Sequence, residues 1–241
     1  MKKFFSFIVI AASVITNSCD KGTASPPAAK FYLLNSSPGS QNFNIAIDGA
    51  LVKSGLMYGE DSGYFSTSPG IHKLQIAKSG STTNLIDVNI SLTAGQSYSI
   101  FMIDTITDLT ALILIDTIGS TPVGDTAKLR FLNFCVNSPT VTAQFSAPWG
   151  DTIRYIRYPS RTFNDQRLSS SKAAFVKIVA GTYSLNLLNI TNPTDSTTDT
   201  TIIKNFSSIT FTAGKIYTLF LEGAYTDTIN YPMATKLIQH N

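Results

Sequence analysis

The chain has 241 residues, 43% of them hydrophobic and only 14% charged. It can therefore bury real cores while carrying far fewer charges than the ~25% of an average soluble domain. Ser, Thr and Asn supply the polarity instead, a composition that suits pleated strands and tight turns. The net charge of +3 sets up no basic field of the kind that gathers nucleic acid, which is not expected as a partner.

Met1-Lys2-Lys3 gives a positive start, Phe4 to Ile15 is an apolar run, and small or polar residues lead to Cys19. The run is too short to span a bilayer, which takes ~20 apolar residues, and suits the apolar core of an export signal. The segment resembles bacterial lipoprotein signals, with Thr16 where Leu is usual. That resemblance implies cleavage between Ser18 and Cys19 and acyl chains on Cys19, so that lipid holds the protein in the cell envelope. The expected address is the outer membrane, facing periplasm or cell surface. A plain export signal with an incidental cysteine is the alternative. Residues 1–18 are then the signal peptide and 19–29 a lipidated tether, in which Gly22, Thr23, Ser25, Pro26 and Pro27 offer almost nothing to bury. Cys135 is left as a single thiol in the apolar stretch Leu132 to Val136. No intramolecular disulfide is expected, and Cys135 reads as buried and inert.

Beyond the tether the sequence repeats itself. Ala29-Lys30-Phe31-Tyr32-Leu33-Leu34-Asn35 is echoed by Ala127-Lys128-Leu129-Arg130-Phe131-Leu132-Asn133. Pro69 to Leu74 is echoed by Ala180 to Leu185, and Leu92-Thr93-Ala94-Gly95-Gln96-Ser97-Tyr98 by Phe211-Thr212-Ala213-Gly214-Lys215-Ile216-Tyr217. The copies stand 98 residues apart at their starts and 119 at the last echo, so the second carries insertions. Two tandem domains are expected, at 30–118 and 127–238, with Ser120, Pro122 and Gly124 breaking structure between them.

Each copy reads as strands throughout. Phe43, Ile45 and Ile47 alternate with polar residues and run into Asp48-Gly49, a hairpin signal. Ile86, Val88, Ile90 and Leu92 alternate again, whereas Tyr98 to Ile103 and Ala111 to Ile115 are denser, as for strands central in a sheet. Short strands separated by turn signals predict an all-β chain of two tandem immunoglobulin-like β-sandwich domains. Tyr98 and Tyr217, each three residues past a glycine, are placed to lock the corner between sheets by bonding back to the backbone.

Ala29-Lys30 with Leu34-Asn35, Ile47-Asp48-Gly49, Ser54-Gly55-Leu56-Met57-Tyr58-Gly59, Ser62-Gly63-Tyr64, Pro69-Gly70 and Thr93-Ala94-Gly95 with Tyr98 together resemble the domain-of-unknown-function family numbered 4397. The second copy matches mainly at its two ends and lacks the Asp-Gly hairpin and the Gly-Leu-x-Tyr-Gly segment. The resemblance implies a β-domain common in secreted or lipid-anchored bacterial proteins, and it brings no catalytic residues.

Chemistry is sparse. Of the two histidines, His72 falls where Tyr183 stands in the other copy and reads as structural, while His240 is next to last and is expected at a loose end. No nucleophile–histidine–acid set is shared by both copies, and zinc spacings are absent. Glu60-Asp61 reads as a solvated loop, and Asp195 to Asp199 lacks the dense oxygen ligands of a calcium loop. No metal, cofactor or catalytic residue is assigned. The second copy's insertion is richer. Trp149, the single tryptophan, lies close to Arg154, Tyr155, Arg157, Tyr158 and Arg161, giving stacking faces and cationic forks for an anionic glycan. The bland alternative buries Trp149 in a core hairpin with the arginines reaching outward. Strand alternation demands that Arg154 and Ile156 face one way and Tyr155 and Arg157 the other.

Asp followed by Thr or Ser and then by an aliphatic residue or Thr recurs at Thr105, Thr117, Thr126, Thr152, Ser196, Thr200 and Thr228. The pattern resembles the acceptor of general O-glycosylation of exported proteins in the Bacteroidetes lineage, and these seven are candidate modification sites. The expected function is that of a non-catalytic envelope lipoprotein whose β-sandwiches bind or adhere to a glycan or protein. The alternative is a structural accessory subunit of an outer-membrane complex.

Overall fold

Asp48 and Gly49 both take positive φ, 51° and 80°, the pair of left-handed residues that lets a two-residue turn follow the twist of its strands. Phe43–Ile47 thereby folds back on Ala50–Leu56. The computed structural model describes residues 25–39, 41–116, 120–190 and 200–240. Within them the chain forms sixteen strands and two short 3-10 turns.

The first domain contains β1 (Ala29–Asn35), β2 (Phe43–Ile47), β3 (Ala50–Leu56), β4 (Asp61–Thr67), β5 (Gly70–Lys78), β6 (Asn84–Leu92), β7 (Ser97–Ile103) and β8 (Thr110–Ile115). The second contains β9 (Thr126–Asn133), β10 (Thr142–Trp149), β11 (Thr152–Arg157), β12 (Val176–Val179), β13 (Gly181–Ile190), β14 (Thr200–Phe211), β15 (Ile216–Glu222) and β16 (Ala234–Gln239). The 3-10 turns, Asp165–Arg167 and Ser170–Ala173, lie between β11 and β12. Sheets in the first domain are ordered β4-β1-β7-β8 and β3-β2-β5-β6, and in the second β12-β9-β15-β16 and β11-β10-β13-β14. Adding eight to each strand number converts one domain into the other. The duplication seen in sequence is thus a duplication of topology, and the chain is two tandem β-sandwiches.

Equivalent residues do equivalent work. The amide of Thr93 donates to Tyr98 Oη at 2.9 Å, and that of Thr212 to Tyr217 Oη at 3.2 Å, which is the expected corner lock. His72 Nε2 bonds the Ser68 carbonyl at 2.8 Å, and Tyr183 Oη donates to the Val179 carbonyl at the same length. Both reach back four residues, so His72 has the structural role its slot implies. The Asn35 and Asn133 side-chain oxygens each accept the amide two residues on, from Ser37 and Cys135.

One expectation needs correcting. The Gly-Leu-x-Tyr-Gly segment is not missing from the second copy but rewritten. Gly59 donates its amide to the Asn35 carbonyl, and Asn164 does the same to Asn133. Glu60 accepts the Met57 amide just as Asp165 accepts that of Thr162. Both Gly59 and Asn164 are left-handed, at φ 73° and 49°, and asparagine is the side chain that tolerates this best. Arg161 to Asp165 therefore replaces Leu56 to Glu60 with almost no shared letters.

The dense strands have a physical cause. Phe31, Leu33, Ile100 and Met102 point into the first domain's core, and Leu129, Phe131, Leu219 and Leu221 into the second's. Their alternates Tyr32, Leu34, Phe101, Leu132 and Phe220 form a third core with Phe134. In it Phe101, Phe134 and Phe220 stack with centroids 4.9–5.6 Å apart. The β1 and β9 sheets lie against each other, and each is buried on both faces. Strands in that position read as continuous apolar runs. Tyr98→Phe and Tyr217→Phe should each cost about 0.5–1.5 kcal/mol through the lost corner bond, read as a lower urea midpoint at unchanged slope.

Candidate functional site

Two residues that follow strands and four strand residues build a polar cluster inside this third core. Asp116 follows β8 and His240 follows β16, each donating its backbone amide to the head of the neighbouring strand, at Ser97 and Ile216. Arg130 on β9 donates Nη2 to Asp116 Oδ1 at 2.7 Å and Nε to Thr218 Oγ1 at 3.0 Å, with its guanidinium 4.5 Å from the centre of the Phe175 ring. Asp116 Oδ2 accepts from Ser99 at 2.7 Å and from Tyr64 at 2.8 Å. Tyr64 spends its proton on Asp116, so it must accept from His240 Nδ1, 2.8 Å away. His240 Nε2 then accepts from the Thr218 hydroxyl at 2.7 Å. The bonding fixes one neutral tautomer, and burial pulls the His240 pKa down to about 4. This corrects the expectation of a loose His240, which is the sealed centre of the domain junction.

Thr218, His240 and Asp116 have the order of a nucleophile, base and acid, but the arrangement cannot act as one. Thr218 is fully buried and accepts from Arg130, and Tyr64 stands between His240 and the carboxylate. The cluster ties domain to domain.

Phe145 pairs with Leu185, as Ile47 pairs with Leu74 in the first domain. There β2 turns, but β10 runs four residues further to Trp149 before Gly150-Asp151 turns it back. This extension holds most of the sequence-predicted contact residues, and it divides them. Trp149 and Arg154 share one face, with Arg154 Cζ 5.1 Å from the indole centre, and Trp149 is 62% exposed rather than buried. Tyr155 and Arg157 lie on the opposite face, as alternation requires. Tyr158 and Arg161 leave the set. Tyr158 is buried against Phe145 with ring centroids 5.5 Å apart, and burial pushes its hydroxyl pKa well above the usual range. Arg161 is buried, with Nε donating to the Phe131 carbonyl.

The outer face of this sheet shows what sequence could not. Arg157, Gln144, Asn186 and Asn205 stand opposite one another on β11, β10, β13 and β14, one continuous row across all four strands. Arg157 Nε donates to Gln144 Oε1 at 2.7 Å, and Asn205 Nδ2 donates to Asn186 Oδ1. Tyr155 is 58% exposed beside the row, and with Gln144 and Arg157 it borders an open depression of about 470 Å³.

Among the candidate modification sites, Thr152, Thr200 and Thr228 are exposed and Thr105 and Thr126 half-buried. Cys19, Thr117, Ser196 and the Asp195–Asp199 stretch lie outside the described residues. Cys135 is buried and its thiol pKa is pushed up to about 12 by burial, the inert state expected of it. Among the described residues no group of three or more His, Cys, Asp or Glu could hold a metal ion.

Residues 29–144 match the model of a family described as Domain of unknown function (DUF4397). The match spans the first sandwich and continues through β9 into β10. No curated protein matches the chain.

Asp116→Ala would leave Arg130 buried and unpaired, and should cost about 3–5 kcal/mol in chemical denaturation. The two histidines pull the pH profile in opposite directions. His240, depressed from 6.5 to about 4, contributes about 3 kcal/mol that is present above pH 6.5 and lost as pH falls toward 4. His72 bonds the Asp48 carboxylate and the Ser68 carbonyl, two acceptors, and is held charged with a raised pKa. Its contribution is whole below pH 6.5 and fades as pH rises through the raised value. Unfolding midpoints against pH should lose their acid-side slope in His240→Gln and their alkaline decline in His72→Gln.

Proposed function

We propose that this chain, whose residues 29–144 match the model of the DUF4397 family, is a non-catalytic cell-envelope lipoprotein anchored through Cys19. In this reading the outer face of its β10 sheet binds glycan. The observation that carries the reading is the row Arg157–Gln144–Asn186–Asn205. Sugars present vicinal hydroxyls that pair with planar groups able to donate and accept side by side, and a tyrosine ring offers them an apolar plate. Row and plate occur here together on an open surface. Among the described residues Arg157 hydrogen-bonds Gln144 through Nε and no partner meets its terminal Nη atoms, which suits a carboxylate or sulfate on the sugar. The arrangement of Thr218, His240 and Asp116 among the described residues is sealed between the domains, whereas the row faces solvent.

The accessory-subunit reading draws on a different surface. Strand β6 is a sheet edge with Leu85 and Val88 exposed, and an exposed edge can accept a strand from a partner protein.

Two experiments test the proposal. On a polysaccharide array that includes uronic-acid and sulfated chains, Arg157→Ala and Asn186→Ala should each weaken binding by roughly tenfold or more, with unchanged thermal midpoints because both side chains sit at the surface. An array that stays blank, while an envelope protein is captured only through an intact β6 edge, overturns the glycan reading in favour of the accessory subunit. Separately, Cys19→Ala should release soluble protein or leave an uncleaved precursor. Normal processing and membrane fractionation of that variant would refute the anchor.

A further inference from the structure

The two sandwiches lie side by side with the same ends together. Asp116, Arg130 and His240 meet where β8 and β16 finish and β9 begins. Ser36 bonds Glu222, and Tyr58 packs on Tyr231 with centroids 5.1 Å apart, at the opposite end. Residues 25–28 enter at the Asp116 end, where the Gly95 amide donates to the Pro27 carbonyl. The tip of the β10–β11 hairpin belongs to that end too. Ser146 pairs with Ser184, which brings Trp149 level with Gly181, and Val179 just before it pairs with Thr126 at the head of β9.

This end is basic and bears exposed apolar groups. Lys30, Lys128, Arg154, Lys177 and Lys215 belong to it, against Asp125 and Asp151 outside the buried cluster. Ile71, Val123 and Ile153 are exposed there along with Trp149. From this arrangement we propose that the end seats on an anionic lipid surface, with Trp149 at the headgroup level and Arg154 against lipid phosphate. Indole is amphipathic and collects at that depth, and each nearby cation adds attraction to an anionic leaflet. A sugar is the poorer fit at the tip. Arg154 already covers one face of the ring, and the row of planar groups lies on the other side of the hairpin. The extension itself points the same way, since the first domain closes its sandwich without one and the core does not need it.

The orientation agrees with an anchor at Cys19, but the contact belongs to the folded domains and is tested without lipid. Trp149 is the only tryptophan, so its emission reports on the tip alone. The Cys19→Ala chain should shift its emission to shorter wavelength and co-sediment with phosphatidylglycerol-containing vesicles. It should do neither with pure phosphatidylcholine. In the same background, and therefore with the same leader, Trp149→Ala and Arg154→Ala should each reduce co-sedimentation, Trp149→Ala by about tenfold or more. Asp151→Asn should strengthen it, and Arg157→Ala should leave it unchanged. Emission that anionic vesicles never move, or that polygalacturonate moves in their place, overturns the proposal. So does unaltered vesicle binding in both tip variants. Because glycan binding is read through Arg157 and anchoring through fractionation of cells, failure of either leaves this result readable.

Discussion

The inner sheets bury both faces, so a charge arriving on their shared surface has no water to turn to. Asp116 and Arg130 persist there because each satisfies the other, while Ser99, Tyr64 and Thr218 satisfy the lone pairs and protons that remain. Such a pair adds little net stability over an apolar one, but breaking it is costly. Its physical effect is therefore on register. Sliding one sheet over the other would strand a buried charge, whereas a purely apolar junction of Phe101, Phe134 and Phe220 would resist sliding only through shape. The surfaces at either end, including the hairpin and the residues that enter beside it, take their relative placement from this junction.

Duplication explains how the cluster arose from ordinary parts. Ser99 and Thr218 are the same position in the two copies, both hydroxyls. Asp116 and His240 both follow the last strand, and Tyr32 and Arg130 both stand three residues past the alanine of the opening strand, Ala29 and Ala127. A symmetric pair of domains would have set like against like across the junction. Divergence at two of the three positions turned that contact into a complementary one, acid and base on opposite sides. The second copy also lengthened its hairpin and added the two 3-10 turns, and the spacing between copies grows at both places and again between β13 and β14.

Much of this was legible in the letters. Alternation, the Asp-Gly turn and the corner tyrosines depend on contacts within a few residues or on period two, and both domains follow from them. The density of Tyr98 to Ile103 was legible too, but its meaning was not. A run buried on both faces looks the same whether its second cover comes from the same domain or from the next. His240 shows the limit most plainly, since nearness to the chain's end says nothing about a third core assembled from both copies. The Arg161 to Asp165 segment was missed because its role rests on backbone bonds and a left-handed residue, which Asn164 supplies as well as Gly59 does. Gln144, Asn186 and Asn205 were invisible because only the pairing of separate strands aligns them.

Alternation also settles how a single hairpin can carry two kinds of surface. The sequence gathers Trp149, Arg154, Tyr155 and Arg157 into one short stretch, and a reader of letters sees one site. A strand presents successive side chains to opposite faces, so the stretch is necessarily two half-sites back to back. Each half is completed by different neighbours. Tyr155 and Arg157 continue into the amide row that crosses the sheet. Trp149 and Arg154 complete each other and overhang the end where the first strand begins. Because Gly150 and Asp151 hold both halves on one turn, a ligand on the sheet face and a surface beneath the tip would be met without competing for a single side chain.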